Sequence, residues 1–510
     1  MISKGIAQDL PQHYALTITA NDLKDRLSVI ASVEMDGRET GTAGQRRAAD
    51  YIANSFKSIG LLSAGSTIGY FQEYPLFTDT MVSSSIGIGR KKYYYGNDFH
   101  AAVRTNQSKT ILAQRVIFAG YGISDSAYDD YKNLAVTGSI VVIAYGEPKI
   151  GANYLVSGDE TASGWSFRTM SEKKEAALKK GAAGIFFIDP LGSPDPDAAN
   201  TEKKSSLYFR HEYTSASTIN SAFISRQMVA DLFGKQAADT LLSRMKRGAP
   251  FSQHDYRSVS KKILFDFQKN TFTMTAASNV LGMVEGSDKK DEYIFVTAHY
   301  DHLGDKGNGK IYYGADDDGS GVSAVLEIAQ AFEKAKEDGY GPRRSIVFMT
   351  VSGEEKGLWG SEFYTSHPVF PLQQTDIDLN IDMVGRIDPK REAADSLNYV
   401  YVIGDDKISS QLRPLLDSVN NSHSNINIDR KFNGNDPERF YYRSDHYNFA
   451  KNGVPVMFFF NGTHADYHQT TDTVNKINFD LMEKRTRLIF YTAWEIANRQ
   501  SSIVRDITLK

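Results

Sequence analysis

Not one cysteine occurs in the 510 residues, which excludes disulfides, thiolate metal sites and a cysteine nucleophile together. The compartment stays open, since exported proteins also fold without disulfides. Long hydrophobic runs are missing too. No stretch reaches the roughly 18 to 20 consecutive apolar residues of a membrane helix, and the longest near the end, Val454 to Phe460, is strand-sized. The opening residues, MISKGIAQDL, lack the apolar segment of an export signal. Nor does one charge dominate: 58 Lys and Arg stand against 62 Asp and Glu, so no net field draws the chain to nucleic acid or to an anionic membrane.

What is present is an ordinary globular composition. Hydrophobic residues make up 41% and charged residues 24%, enough apolar side chain for a sizeable core and too much for disorder. The length suggests about two to four folding units. Residues 22 to 62 carry Leu23, Leu27, Ile30, then Ala48, Tyr51, Ile52 and Phe56 at helical steps, with the glycine-rich GRETGTAG between them read as a turn. From about 79 the texture changes to strand-like runs, RVIFAGYGI, SIVVIAYGE and AGIFFIDP, punctuated by Gly, Asp and Pro around one helical stretch, SEKKEAALKKGAAG. Beyond 270 strands and helices alternate, the pattern of an α/β domain with a mixed, mostly parallel sheet flanked by helices. The expected organisation is therefore a discontinuous domain, 1–78 with 271–510, interrupted by a β-rich insertion over 79–270.

Ligands of open α/β sheets bind beyond the carboxyl ends of the strands, and here the strand-like segments end in groups suited to a divalent cation: His299 and Asp301, Asp316 to Asp318, Glu354 and Glu355, Asp382. Packed carboxylates repel unless something positive sits among them. In HYDH, strand alternation places His299 and Asp301 on one side and turns His302 away. His299 is then a ligand whose second ring N–H is accepted by Asp301 from outside the coordination sphere. GADDDGSG precedes a helix starting near Gly321, so Asp318 is assigned to its cap and Asp317 to a bridging position. Of the adjacent glutamates, Glu355 is assigned to metal and Glu354 to the general base that takes a proton from activated water. A last ligand is sought in DYHQTTDT, where His468 is flanked by Tyr467, a donor for an oxyanion, and by Asp472, a supporting acid. His446 and His464 compete for that place.

Together AHYD, GADDDGSG, GEEKGLWGS, NIDMVG and YHQTTDT resemble the zinc aminopeptidases of the M28 peptidase family, in family order. The middle region resembles an inserted protease-associated domain. The resemblance implies two zinc ions per chain sharing Asp317, with His299 and Asp382 completing one position and Glu355 and His468 the other. It also implies Glu354 as general base, Tyr467 steadying the tetrahedral intermediate, Asp301 behind His299, and peptide substrates with a free N-terminus. Three other readings stay open: a carboxypeptidase for acidic C-termini, for which Arg443 is the residue to inspect; a single-zinc glutaminyl cyclase; and a non-catalytic binding relative. No nucleic-acid or membrane partner is expected and the oligomeric state is unknown. Localisation is expected to be periplasmic or secreted, with the cytoplasm as the alternative.

Overall fold

The computed structural model describes residues 10–64, 69–166, 170–188, 203–209, 218–252, 254–391 and 397–509. The opening segment MISKGIAQD lies outside them. Two units emerge: one takes the chain to position 75 and again from 275 onward, and the other covers 76–274.

In the first unit the sheet order, from one edge, is Asn427–Asp429, Tyr399–Ile403, Val456–Phe460, Thr375–Ile381, Lys289–His299 and Arg344–Val351, followed by the 280–284 end of the strand Arg257–Val284. Lys289–His299 is parallel to both of its neighbours, and Thr375–Ile381 is parallel to Val456–Phe460. The 280–284 segment runs antiparallel to Arg344–Val351, and Tyr399–Ile403 runs antiparallel to Val456–Phe460 but parallel to Asn427–Asp429. The mixed, mostly parallel sheet expected from the sequence is what forms. Its strands are near-continuous apolar runs because both faces are covered. Along the central strand, Ile294, Val296 and Ala298 pack to one side and Phe295 to the other, the period of two that a pleated strand imposes.

The helices Ala20–Ile30, Ala43–Ile59, Gly321–Glu337 and Phe479–Asn498 cover the first face, burying Leu27, Ile52, Phe332 and Ile489. Each such side chain contributes about 1.5–3 kcal/mol by leaving water. Polar ends begin and finish these helices. Thr42 accepts from the amide of Gln45, Asn478 accepts from that of Leu481, and Gly60 at φ 101° closes the second helix in the left-handed region. Among the described residues no helix is long and apolar enough to cross a membrane.

Register decides where the strands stop. His299 is level with Val351 across one pair, and Ile381 is level with Phe459 across another. Residues just beyond these positions therefore emerge at one rim of the sheet. Below that rim lies Asp378, fully buried, with Thr297 Oγ1 donating to one carboxylate oxygen at 2.7 Å and the other oxygen unpartnered. Burial pushes this carboxyl up to about 8, and Asp445 adds to the effect against the Thr297 bond. An unfolded aspartate titrates near about 3.9, so between these two values folding takes up a proton and stability falls as pH rises. Asp378→Asn should abolish that slope. Its melting temperature should exceed that of wild type at pH 8, by the equivalent of about 5 kcal/mol, and converge with it near pH 4; a constant offset across this range in calorimetry would refute the assignment.

The second unit is also built on β-strands. Lys109–Phe118, Ile140–Ala144, Gly184–Ile188 and Ser221–Ile224 run parallel in that order, and the 257–267 stretch lies antiparallel on the outer side of the first. Helices Ser171–Lys179, Arg226–Phe233 and Lys235–Lys246 accompany it. Asp79, fully buried, holds the Lys269 ammonium at 2.7 Å and accepts from Tyr208 and Thr271. That ion pair is satisfied on both sides, since Lys269 also donates to the carbonyls of Val103 and Arg104.

Candidate metal centre

The strand ending at His299 presents an imidazole that is 1% exposed. Its Nδ1 lies 3.1 Å from the main-chain carbonyl of Asp301 and donates to it, so Nε2 is left with its lone pair facing the rim. There Nε2 stands 3.1 Å from Asp317 Oδ1 and 3.6 Å from Asp382 Oδ1. The Asp301 carboxylate does not accept the ring N–H expected of it. Its nearest oxygen is 3.8 Å from Nδ1, and the two oxygens instead accept from Thr40 Oγ1 at 2.7 Å and from the Glu354 amide at 3.1 Å. The backbone carbonyl reaches the imidazole first, which releases the carboxylate to hold the loop that carries the glutamates.

The run Asp316–Asp317–Asp318 divides three tasks, all of its members buried. Asp316 accepts from the Gly385 amide at 2.7 Å and faces His464 Nε2 at 3.1 Å. Asp318 accepts from the amides of Gly321, Met383 and His299, so it holds the first amide of the helix Gly321–Glu337, whose cap position is Ser320 rather than the Asp318 expected, and ties two strand ends to it. The peptide bond joining Asp317 and Asp318 is cis. Asp472 accepts from the amides of Asp316 and Asp317 and fixes the loop from behind. Asp317 alone of the three turns its carboxylate to the rim, with Oδ1 toward His299 and Oδ2 3.1 Å from His468 Nε2.

Glu355 Oε2 lies 3.2 Å from His468 Nε2. Asp382, one residue past its strand, accepts from Ser444 Oγ at 2.7 Å through Oδ2, which leaves Oδ1 toward His299. His468 sits at φ 57° with its ring stacked on Tyr467, centroids 3.9 Å apart. Burial pushes the Tyr467 hydroxyl above its ordinary range, and Asp317, Glu354 and Glu355 push the same way, so it remains a donor at neutral pH. Burial also pushes Glu354 well up, with Glu355, Asp382 and Asp445 reinforcing the effect against His299.

His302 was expected to point away and does not. Strand pairing ends at His299, so alternation no longer governs the next turn of chain, and His302 Nδ1 comes 2.7 Å from Glu355 Oε1. Of the competing histidines, His464 is engaged with Asp316, and His446 is a fully buried ring stacked on Phe458 whose pKa burial lowers to about 3. Sequence reasoning also missed Ser444, an isolated serine with no periodic signal, and Arg38, whose role is taken up below.

Two donor groups result, His299–Asp317–Asp382 and His302–Asp317–Glu355, each with its ligand atoms within 4.8 Å of one another. The chemistry suits a borderline divalent ion, nitrogen and carboxylate oxygen being the common zinc donors. Asp317 Oδ2, Glu355 Oε1 and both ring nitrogens of His302 are buried without a hydrogen-bond partner, a costly arrangement for a site that holds only protons. The residues present therefore fit zinc. A pocket opens beside Asp317, Glu354 and Asp382, lined by Met383, Phe440, Phe458, Phe460 and Thr463, with Arg443 and Tyr467 also at its wall. Arg443 Nη2 donates to the Tyr467 hydroxyl at 3.4 Å.

The chain resembles known proteins over part of its length. Residues 279–493 match peptidase family M28. The aminopeptidase YwaD of Bacillus subtilis is 30% identical over 149 residues, 28% of this chain and 30% of that protein. The vacuolar membrane protease of Candida dubliniensis is 28% identical over 131 residues, 26% of this chain and 13% of that one. The matched stretches thus span less than a third of either relative. A solved aminopeptidase from Aneurinibacillus sp. strain AM-1 superposes with a TM-score of 0.53 at 18% identity, covering 98% of both chains, and so shares the fold.

Proposed function

We infer that this chain, which carries a peptidase family M28 domain over residues 279–493, is a zinc-dependent aminopeptidase that hydrolyses the first bond of peptides with a free N-terminus. The observation that carries this reading is the division of Asp317, one carboxylate oxygen toward His299 and the other toward His468. A single acid so placed serves two ions. His299 and Asp382 would hold one, and Glu355 and His468 the other. Zinc held there would supply Lewis acidity, lowering the pKa of the attacking water from about 15.7 toward roughly 7.

The chain's own groups do the rest. Glu354 belongs to neither donor group, lines the pocket, and has its main chain fixed by Asp301. As general base it removes the proton of the attacking water and delivers it to the departing amine. Tyr467, kept protonated, donates to the oxyanion that forms at the scissile carbonyl. The surrounding carboxylates receive the substrate's α-ammonium, which selects chain ends over internal bonds. The second unit, 76–274, is read as the inserted protease-associated domain.

Chelation should reduce turnover of aminoacyl-anilides by at least about a thousandfold, and two equivalents of zinc should restore it. Metal analysis should count two zinc ions per chain, and N-acetylated substrates should resist cleavage. Full recovery with one equivalent, or equal turnover of acetylated peptides, would overturn the reading. Product analysis on peptides beginning with glutamine separates hydrolysis from cyclisation.

A further inference from the structure

The site holds one imidazole more than the reading above uses. His302 is fully buried and neither ring nitrogen has a hydrogen-bond partner. A histidine left this way bears the desolvation of each unpaired polar atom without a compensating bond, and an apolar side chain would fill the space more favourably. Its placement is nevertheless enforced. A Cβ on Gly314 would stand 2.5 Å from His302 Cγ and 2.6 Å from Cδ2, so only glycine, here at φ 56°, admits the ring.

The glutamate between the two imidazoles completes the picture. Glu355 Oε1 lies 2.7 Å from His302 Nδ1 without hydrogen-bond geometry, and Oε2 lies 3.2 Å from His468 Nε2. Asp317 Oδ2 is 3.1 Å from His468 Nε2 and 3.8 Å from His302 Nδ1. Donors around a tetrahedral zinc with bonds of about 2.0–2.1 Å stand roughly 3.3 Å apart, and these separations straddle that value. The two rings meet edge to face, centroids 5.8 Å apart, which keeps both nitrogens turned toward the carboxylates.

We propose that His302 Nδ1 is a ligand of the metal position formed by Asp317, Glu355 and His468, so that this position has four protein donors while that of His299, Asp317 and Asp382 has three. This rests on the two-zinc reading and deepens it. The two positions are then unequal. A closed set of two nitrogens and two carboxylates holds its ion as structural zinc sites do, whereas a three-donor site keeps a place open for water or substrate. The closed position fills first, and the exchangeable ion is the one beside His299.

The test uses the full chain stripped of metal. Titration of wild type with Co2+, followed by calorimetry and visible absorption, should show two ions with dissociation constants at least about tenfold apart. His302→Ala and His302→Gln should weaken the tighter ion by about 10–100-fold or more and leave the weaker one unchanged, whereas Asp382→Asn should do the reverse. X-ray absorption of wild type loaded with one equivalent of zinc needs no variant and should count two imidazoles. One imidazole there, or a His302→Ala titration and spectrum equal to wild type in a variant with a native circular dichroism spectrum, overturns the proposal while leaving two zinc ions in place. A wild type that binds a single ion overturns the two-zinc reading itself.

Discussion

Glu354→Gln should lower kcat by about a hundredfold to ten-thousandfold while zinc content and KM stay at wild-type values. The amide has the shape of the carboxylate, so the buried space beside Asp382 and Glu355 is still filled, and the main-chain bond from residue 354 to Asp301 is unaffected. What disappears is the proton acceptor. Removing a metal ligand would instead deplete zinc, and removing a binding group would raise KM, so the three parameters together separate the roles. Turnover within tenfold of wild type with full zinc occupancy would remove Glu354 from the mechanism and pass the base function to another group.

Arg38→Met should destabilise the protein by about 3–5 kcal/mol, read as a lower urea midpoint with an unchanged slope. Arg38 is fully buried and its guanidinium donates to four carbonyls: Nε to Tyr300 at 2.7 Å, Nη1 to Ile30 and Tyr313 at 2.7 Å each, and Nη2 to Gly314 at 2.9 Å. Methionine keeps most of the stem's volume and none of the donors, leaving those oxygens unpaired. The lost charge matters as well, because Asp317, Asp301, Asp318 and Asp472 surround it. Three of the four carbonyls, those of Tyr300, Tyr313 and Gly314, lie within a few residues of His299 or Asp317, so the variant should also bind zinc more weakly and be stabilised by added zinc more than wild type is. Lysine, with one nitrogen on a flexible stem, should not rescue it. A loss below 1 kcal/mol would show that the loops hold their shape without this clamp.

These two residues differ in how visible they were beforehand. Glu354 was legible because it adjoins a second acid just past an apolar strand, and strand ends are where an α/β sheet presents ligands. The same logic located His299, Asp382 and the rim around them, since apolar runs mark the strands and the first polar residues beyond them mark the edge, whereas Asp317 is marked by the glycine-flanked acid run that precedes a helix. Arg38 was not legible. GRETGTAG looks like a turn, and nothing local shows that its arginine reaches carbonyls 262 to 276 residues away. His302 was misplaced because alternation was carried three residues past the last paired position. The Asp301 carboxylate stays off the imidazole because a main-chain carbonyl, invisible to residue-type reasoning, stands nearer to it.

His299 and Asp382 lie on or just after the last residue of their own strands, and neighbouring strands are locked in register beneath them. Stretches of the connecting segments that carry no ligand, unlike the loops holding Asp317, Glu355 and His468, can lengthen, shorten or change sequence without shifting these two side chains. Selection can thus rework the approach to the centre piece by piece, and with it the range of peptides admitted, while the reactive geometry is inherited intact.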